Sequence, residues 1–339
     1  MSPSALRPAT LPPRPTSGAA QPAALRERLA SQVQRRGALA VLVLMVAVAS
    51  ATSPTFPTWS NISGILGSNA FVWLLALGMT FVILTGGIDL SVGSMYALGG
   101  VVAAYGAHTG GTWSAVALPL VTGAVWGAVQ GLLVARARMA PFIVTLAGLL
   151  GARGLLQALT NEGATTYLVP AGSAFRHLGE GTWVPVLIVA VLFALGALLL
   201  TRTRFGATVT AIGGNENAAS LMGLPVARTK VLVYVLSATT AAAAGALGSA
   251  RLGSGVTTIG VGYELTAIAS VVIGGTLLTG GSGSVGGTVS GVLVLAVIHN
   301  LIDHYFSQYG SAFTDTVNGA FLAVVVLAQT LLSRARQAD

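Results

Sequence analysis

Residues 64–85 read GILGSNAFVWLLALGMTFVILT, a run without a charged side chain. A bilayer core about 30 Å thick is crossed by a helix of about 20 mostly apolar residues, so this stretch is long enough to span on its own. Working outward, similar apolar segments cover 37–52, 88–106, 114–135, 139–159, 183–201, 228–250, 264–280, 284–302 and 313–333. Segments 88–106 and 264–280 are broken by glycines, which leaves open whether they cross fully or re-enter from one side. The composition agrees with the segments. Only 8% of residues are charged and mean hydropathy is +0.81, whereas soluble chains carry about 25% charged residues. Glycine, at 44 of 339 residues, is close to twice its usual share of about 7%, as close helix contact in lipid favours. The expected fold is all-α: a polytopic inner-membrane helical bundle of about ten transmembrane helices.

The net charge of +8 and pI near 10.6 do not indicate nucleic-acid binding, because the basic residues form no face. Six arginines (Arg7, Arg14, Arg26, Arg28, Arg35, Arg36) fall in the Pro- and Ala-rich stretch 1–36, which reads as a disordered tail. With both termini in the cytoplasm, Arg136, Arg138, Arg202, Arg204, Arg228, Lys230, Arg334 and Arg336 join that tail on the inside, so 14 of the 17 basic residues lie there. Arg153 falls within a span, and Arg176 and Arg251 fall outside. This asymmetry follows the positive-inside rule, and Trp59, Trp113 and Trp183 fall at expected outer ends, where indole rings favour the headgroup layer. The membrane-spanning body is expected over 37–333 and a short cytoplasmic tail over 334–339. Ala49-Ser50-Ala51 resembles a signal-peptidase site, but the long basic stretch before it and the nine spans after it favour an uncleaved first helix.

Small residues spaced by four mark helix contacts. Gly123, Gly127 and Gly131 form one strip, and Gly287 with Gly291 a shorter one; such strips serve plain packing or permit helices to tilt over each other. The chain also echoes itself. Leu84-Thr85-Gly86-Gly87 returns as Leu278-Thr279-Gly280-Gly281, and Ser91-Val92-Gly93 as Ser284-Val285-Gly286. Repeats of this sort are common in transporters and point to two related halves of undetermined relative orientation.

Several chemistries are excluded. The single lysine, Lys230, sits between Thr229 and Val231, so there is no phosphate-cradling Gly-Lys-Ser/Thr element. There is no cysteine, and His108, His177, His299 and His304 have no metal-ligand spacing around them. Gly-x-Ser-x-Gly is missing. No catalytic, cofactor or metal site is expected.

The loop 202–230, expected in the cytoplasm, contains Gly213-Gly214-Asn215-Glu216-Asn217-Ala218-Ala219-Ser220-Leu221-Met222-Gly223-Leu224-Pro225. Asn215 is a good N-cap, Glu216 suits the positive end of a helix, and Gly223 with Pro225 stops it. Ala218, Leu221 and Met222 would form a small apolar face on a helix too short to persist alone in water. Such a face either docks in a groove of another protein or lies on the membrane surface.

This loop resembles the coupling-helix region of ABC-transporter permease subunits, with Glu216, Ala218 and Gly223 matching the Glu-Ala-Ala…Gly pattern and Asn217 standing where one Ala is usual. Thr85-Gly86-Gly87-Ile88-Asp89-Leu90-Ser91-Val92-Gly93-Ser94, Pro141-Phe142-Ile143-Val144-Thr145-Leu146-Ala147-Gly148 and Ile273-Gly274-Gly275-Thr276-Leu277-Leu278-Thr279-Gly280-Gly281 resemble the ribose/xylose-type sugar permeases of bacterial inner membranes. Arg204-Phe205-Gly206 and the stretch Ala269–Thr276 are most similar to the galactofuranose permease branch, from which the long Arg/Pro-rich tail departs. The resemblance covers roughly residues 60–330. It implies a subunit that pairs with a second copy or a paralogue. It also implies cytoplasmic ATPase subunits holding ATP and magnesium, and a periplasmic or lipid-anchored binding protein that delivers a monosaccharide.

Polar groups inside spans are the candidates for the sugar path, since each is costly in lipid unless paired or wet. These are Asn69, Thr80, Ser91, Arg153 and Asn300; for Arg153 structural pairing is favoured over sugar contact, and Asp89 reads as a helix cap at the inner turn. The alternative is an ion-coupled secondary transporter of a small polar solute. That needs a titratable or cation site near mid-membrane, and the carboxylates here are expected at helix ends.

Overall fold

The computed structural model describes residues 37–306 together with Gly310, Phe313, Thr316, Val317, Gly319, Ala320, Ala323 and Leu327. The expected tail 1–36, the end 334–339 and, apart from those isolated positions, the span 313–333 lie outside the described residues. The elements of that region are helices: α1 (Gly37–Thr52), α2 (Trp59–Leu84), α3 (Val92–Ala135), α4 (Pro141–Leu159), α5 (Ala174–His177), α6 (Trp183–Arg202), α7 (Arg204–Gly214), α8 (Glu216–Leu221), α9 (Val226–Leu252), α10 (Tyr263–Ile273) and α11 (Val285–Phe306). Among the described residues six helices (α2, α3, α4, α6, α9 and α11) are long and apolar enough to cross a membrane, and α1 and α10 are shorter apolar helices.

Two helices form the centre. On α2, everything from Phe71 to Leu84 is buried except Val72, because apolar neighbours surround it on all sides. Helix α9 is rich in Ala, Gly and Ser, and α3 packs along it more extensively than any other pair of helices. The small residues are the reason. A Cβ at Gly99 would strike the backbone of Ala242, one at Gly123 that of Ala238 and Thr239, and one at Gly127 that of Tyr234 and Val235. Backbones this close gain dispersion contacts that lipid chains cannot supply. The glycine strip therefore faces α9, and the short strip Gly287/Gly291 faces Gly274 and Ser270 at the end of α10.

Helix α3 is two legs. At Gly111 (φ 73, ψ −162) the helix breaks, and Ser114 Oγ donates back to Gly106 O at 2.7 Å. From Gly99 to Gly131 the contacts on α9 run out and then back: Gly99 meets Ala242, Ala115 shares a cluster with Ala250, and Gly131 meets Val231. The segments 88–106 and 114–135 therefore form a hairpin, with the first leg starting at Val92.

The segment 264–280, whose full crossing the sequence left open, is not one continuous helix: α10 covers only Tyr263–Ile273. After α9 ends at the left-handed Gly253, residues 253–262 run back into the bundle without regular structure, Gly255 against Val101 and Gly260 against Gly93. Those two α3 positions are eight residues apart, a descent of about 12 Å at 1.5 Å per residue. Helix α10 begins only there. Glycines at 253, 255, 260 and 262 prevent helix formation in the first half, since three of the four adopt positive φ.

Around the centre, α4 and α6 carry apolar side chains outward, among them Phe142, Leu150, Leu187 and Leu195. Helix α1 packs on α11 through Ala49, Ala296 and Val297, joined by Phe56 from the turn after α1. Trp59 and Trp183 begin α2 and α6 and stack at 5.2 Å.

Candidate functional site

One end of the bundle carries α7 and α8. Thr203 caps α7 by accepting from Gly206 N at 3.2 Å, and Phe205 packs on Phe81 of α2. Asn215 then ends α7 and caps α8, its Oδ1 accepting from Ala218 N at 2.9 Å. Glu216, in the first turn of α8, pairs with Lys230 Nζ at 2.6 Å, which ties α8 to the start of α9. Ala219 is the buried contact, and Leu224 N closes on Ala219 O after the positive-φ Gly223. The helix that results has its tip in the open: Leu221 is 90% and Met222 69% exposed, beside exposed Ala218.

The loop is seated on the echo identified in the sequence. Gly281 N donates to Leu84 O at 3.0 Å, so the turns Leu84–Gly87 and Leu278–Gly281 lie against each other. Gly213 of α7 fits between them: a Cβ there would collide with Leu84 O and Gly281 N. The joint admits only a bare backbone.

The polar candidates of the spans are each engaged within the bundle. Asn69 donates to Ile65 O on its own helix. Thr80 of α2 shares a 2.8 Å hydrogen bond with Thr288 of α11. Asn300 and Asn61 exchange two amide hydrogen bonds, at 2.8 and 3.2 Å. Ser91 donates to Asp89 Oδ1 at 2.6 Å. Arg153 Nη1 donates to Thr257 O and Ile259 O at 2.9 and 3.2 Å, satisfying carbonyls of the irregular segment 253–262. Nη1 of Arg153 is thus committed to pairing within the bundle.

Asp89 and Glu264 need a correction of a different kind. Both stand at helix starts, as expected, but those starts lie inside the bundle. Asp89 is fully buried; it caps α3 through Ser91 N and accepts from Ser237 Oγ of α9 at 2.8 Å. Ser237 is eleven residues beyond Val226, about 16 Å along α9. Glu264 lies in the first turn of α10, with its carboxylate against Gly93. Sequence reasoning placed a span boundary at 264 and so missed it. The signal was the glycine series before it, which marks a chain that enters the bundle before a helix forms.

The described residues thus form a helical bundle with apolar helices long enough to cross a membrane, an exposed capped helix at one end and an irregular segment leading into a short helix within it. The family model described as branched-chain amino acid transport system / permease component matches residues 61–329, and the chain belongs to this family. It is 38% identical over 309 residues to the fructose import permease protein FruG of Bifidobacterium longum (strain NCC 2705), covering 86% of this chain and 89% of that one. It is 39% identical over 284 residues to the ribose import permease protein RbsC of Bacillus subtilis (strain 168), covering 82% and 86%. With the xylose transport system permease protein XylH of Escherichia coli (strain K12) it shares 33% identity over 330 residues, covering 77% and 83%. No solved structure matches the chain.

Proposed function

We propose that the chain is the membrane-spanning permease subunit of an ATP-binding-cassette importer that carries a monosaccharide across a bacterial inner membrane. The sugar belongs to the ribose, xylose, fructose or galactofuranose group. The relatives' names supply the sugar class; the observation in this molecule that carries the mechanism is the α8 tip, where Leu221 and Met222 stand exposed on a helix rigidly held by Asn215, Ala219 and the Glu216–Lys230 pair. Exposed apolar side chains on an anchored helix suit a groove in a partner protein.

In this reading the partner is a cytoplasmic ATPase subunit, which binds ATP and magnesium; this chain binds no cofactor. A second permease copy or a paralogue completes the path, and a periplasmic or lipid-anchored protein delivers the sugar. Both termini and the loop 202–230 face the cytoplasm, and the bundle has about ten crossings, counting the two legs of α3, the shorter α1, the one crossing that irregular residues 253–262 make together with α10, and 313–333. ATP binding biases the complex toward one state because the ATPases bind it better in that state. Movement of α8 reaches the core through Gly213, which is wedged between the two inner turns.

The test is the double variant Leu221→Asp/Met222→Asp in the complete importer in proteoliposomes. The variant is expected to insert and fold, while ATP-driven sugar uptake falls to background. Normal ATP-driven uptake by it would overturn the docking role, and uptake driven by an ion gradient without ATP would establish the secondary-transporter alternative instead.

A further inference from the structure

Glu264 is the one mid-depth carboxylate that is only half-buried among the described residues, and its chain neighbours are open: Val261, just before α10, is 75% and Leu265, on it, 54% exposed. An ionisable side chain at this depth is too costly to leave facing hydrocarbon. No direct ion pair neutralises it among the described residues, although the guanidinium of Arg153 is near enough for the two charges to act on each other. Arg153 sits twelve residues along α4 from Pro141, about 18 Å, which places both charges near the middle of the bundle. The segment leading to Glu264 supplies a second, independent observation. Residues 253–262 are irregular backbone at membrane depth, a condition met only where the backbone is buried in protein or lines a water-filled cavity.

We propose that Glu264, with the free edge of Arg153 beside it, lines the water-filled path and hydrogen-bonds the hydroxyls of the passing sugar. The chemistry fits a neutral polyol. The carboxylate accepts hydroxyl hydrogens, while Arg153 spends Nη1 on Thr257 and Ile259 and keeps Nη2 and Nε as donors. Tyr263, paired with Tyr96 at 5.2 Å, adds an aromatic wall next to Glu264. Tolerance of the carboxylate in the first turn of α10 follows from the helix dipole. This proposal rests on the sugar-permease reading and adds to it the residue that touches the cargo.

The chain has no cysteine, so an introduced thiol is the only one on this subunit, and labelling is read on this subunit after separation from its partners. The complete importer in proteoliposomes would carry Glu264→Cys, Leu265→Cys or, as the lipid-facing control, Leu187→Cys, and be treated with a cationic, membrane-impermeant methanethiosulfonate. Positions 264 and 265 are expected to react more than about tenfold faster than 187, because the charged reagent cannot enter hydrocarbon. Millimolar ribose, xylose, fructose or galactofuranose, whichever the unmodified importer takes up, is expected to slow that reaction. In a second arm, Glu264→Gln should raise the half-saturating sugar concentration about tenfold with far less change in the maximal rate, as expected for lost substrate contact. A structural role would instead lower the amount of folded protein and the maximal rate together. Labelling of both 264 and 265 no faster than 187 overturns the placement of Glu264, even where uptake by the unmodified importer is intact. Failure of the unmodified importer to take up any of these sugars overturns the sugar reading itself, whatever the labelling shows.

Discussion

The two echoed turns, Leu84–Ser91 and Leu278–Ser284, share a sequence motif and differ in what surrounds them. In the first, Thr85, Gly87, Asp89 and Ser91 are buried; Asp89 links the start of α3 to α9, and Thr145 of α4 donates to Ile88 O at 3.1 Å. In the second, Ser282, Gly283 and Ser284 are exposed, no acid stands where Asp89 does, and the polar bond of note is local, Ser284 Oγ accepting from Gly287 N at 3.0 Å. Equal turn chemistry has produced one pinned joint and one open one. The difference comes from the neighbours: α4, α9 and both legs of α3 cover the first turn, whereas α10 and α11 leave the second with a free side. A transporter needs such inequality, since an element pinned on every side has no second arrangement to switch to.

The largest expected effect breaks the pinned turn. Asp89→Ala removes the acceptor of three hydrogen bonds and leaves buried donors on Ser91 and Ser237, a loss of about 3 kcal/mol by the scale for bonds to charged groups. Thermal unfolding in detergent would read it; an unchanged midpoint would show that the buried carboxylate holds nothing together. Thr80→Val is next. It removes the bond to Thr288 that ties α2 to α11 just above the two turns, and interhelical bonds of this type contribute about 0.6 kcal/mol on average. The smallest effect belongs to the open turn, where Ser284→Ala forfeits a local cap worth about 0.5 kcal/mol at an exposed site. If Ser284→Ala cost as much as Asp89→Ala, the two turns would be mechanically alike and the contrast drawn here would fail.

The legible parts were those written in local patterns. The long apolar runs appeared as α2, α4, α6, α9 and α11, and the glycine strips faced helices. Asn215 capped α8, and Leu221 and Met222 stood out from it, because cap chemistry and a short apolar face depend on residues within one or two turns of each other. The sequence was silent where the outcome depended on a distant partner. Segment 264–280 has a hydropathy that suits a span, and its crossing was left open; its helix covers only Tyr263–Ile273 and follows ten residues of irregular backbone, two of whose carbonyls Arg153 satisfies from α4. Asn69, Thr80 and Asn300 are sugar-path candidates because polar groups in lipid are expensive; each also has a hydrogen-bond partner in the bundle, two of them across more than 200 residues of chain.

By itself the sequence determined the solvent and the element type: charge is too sparse to face water, apolar runs are long enough to cross, and no Gly-Lys-Ser/Thr element occurs. Those are sums and spacings along the chain. Depth and pairing were decided only by the tertiary structure, which put Asp89 beside Ser237, set Gly213 between two turns and left Glu264 half-open at mid-bundle. The reason is that desolvation depends on every helix packed around a group, and no window of sequence contains them all.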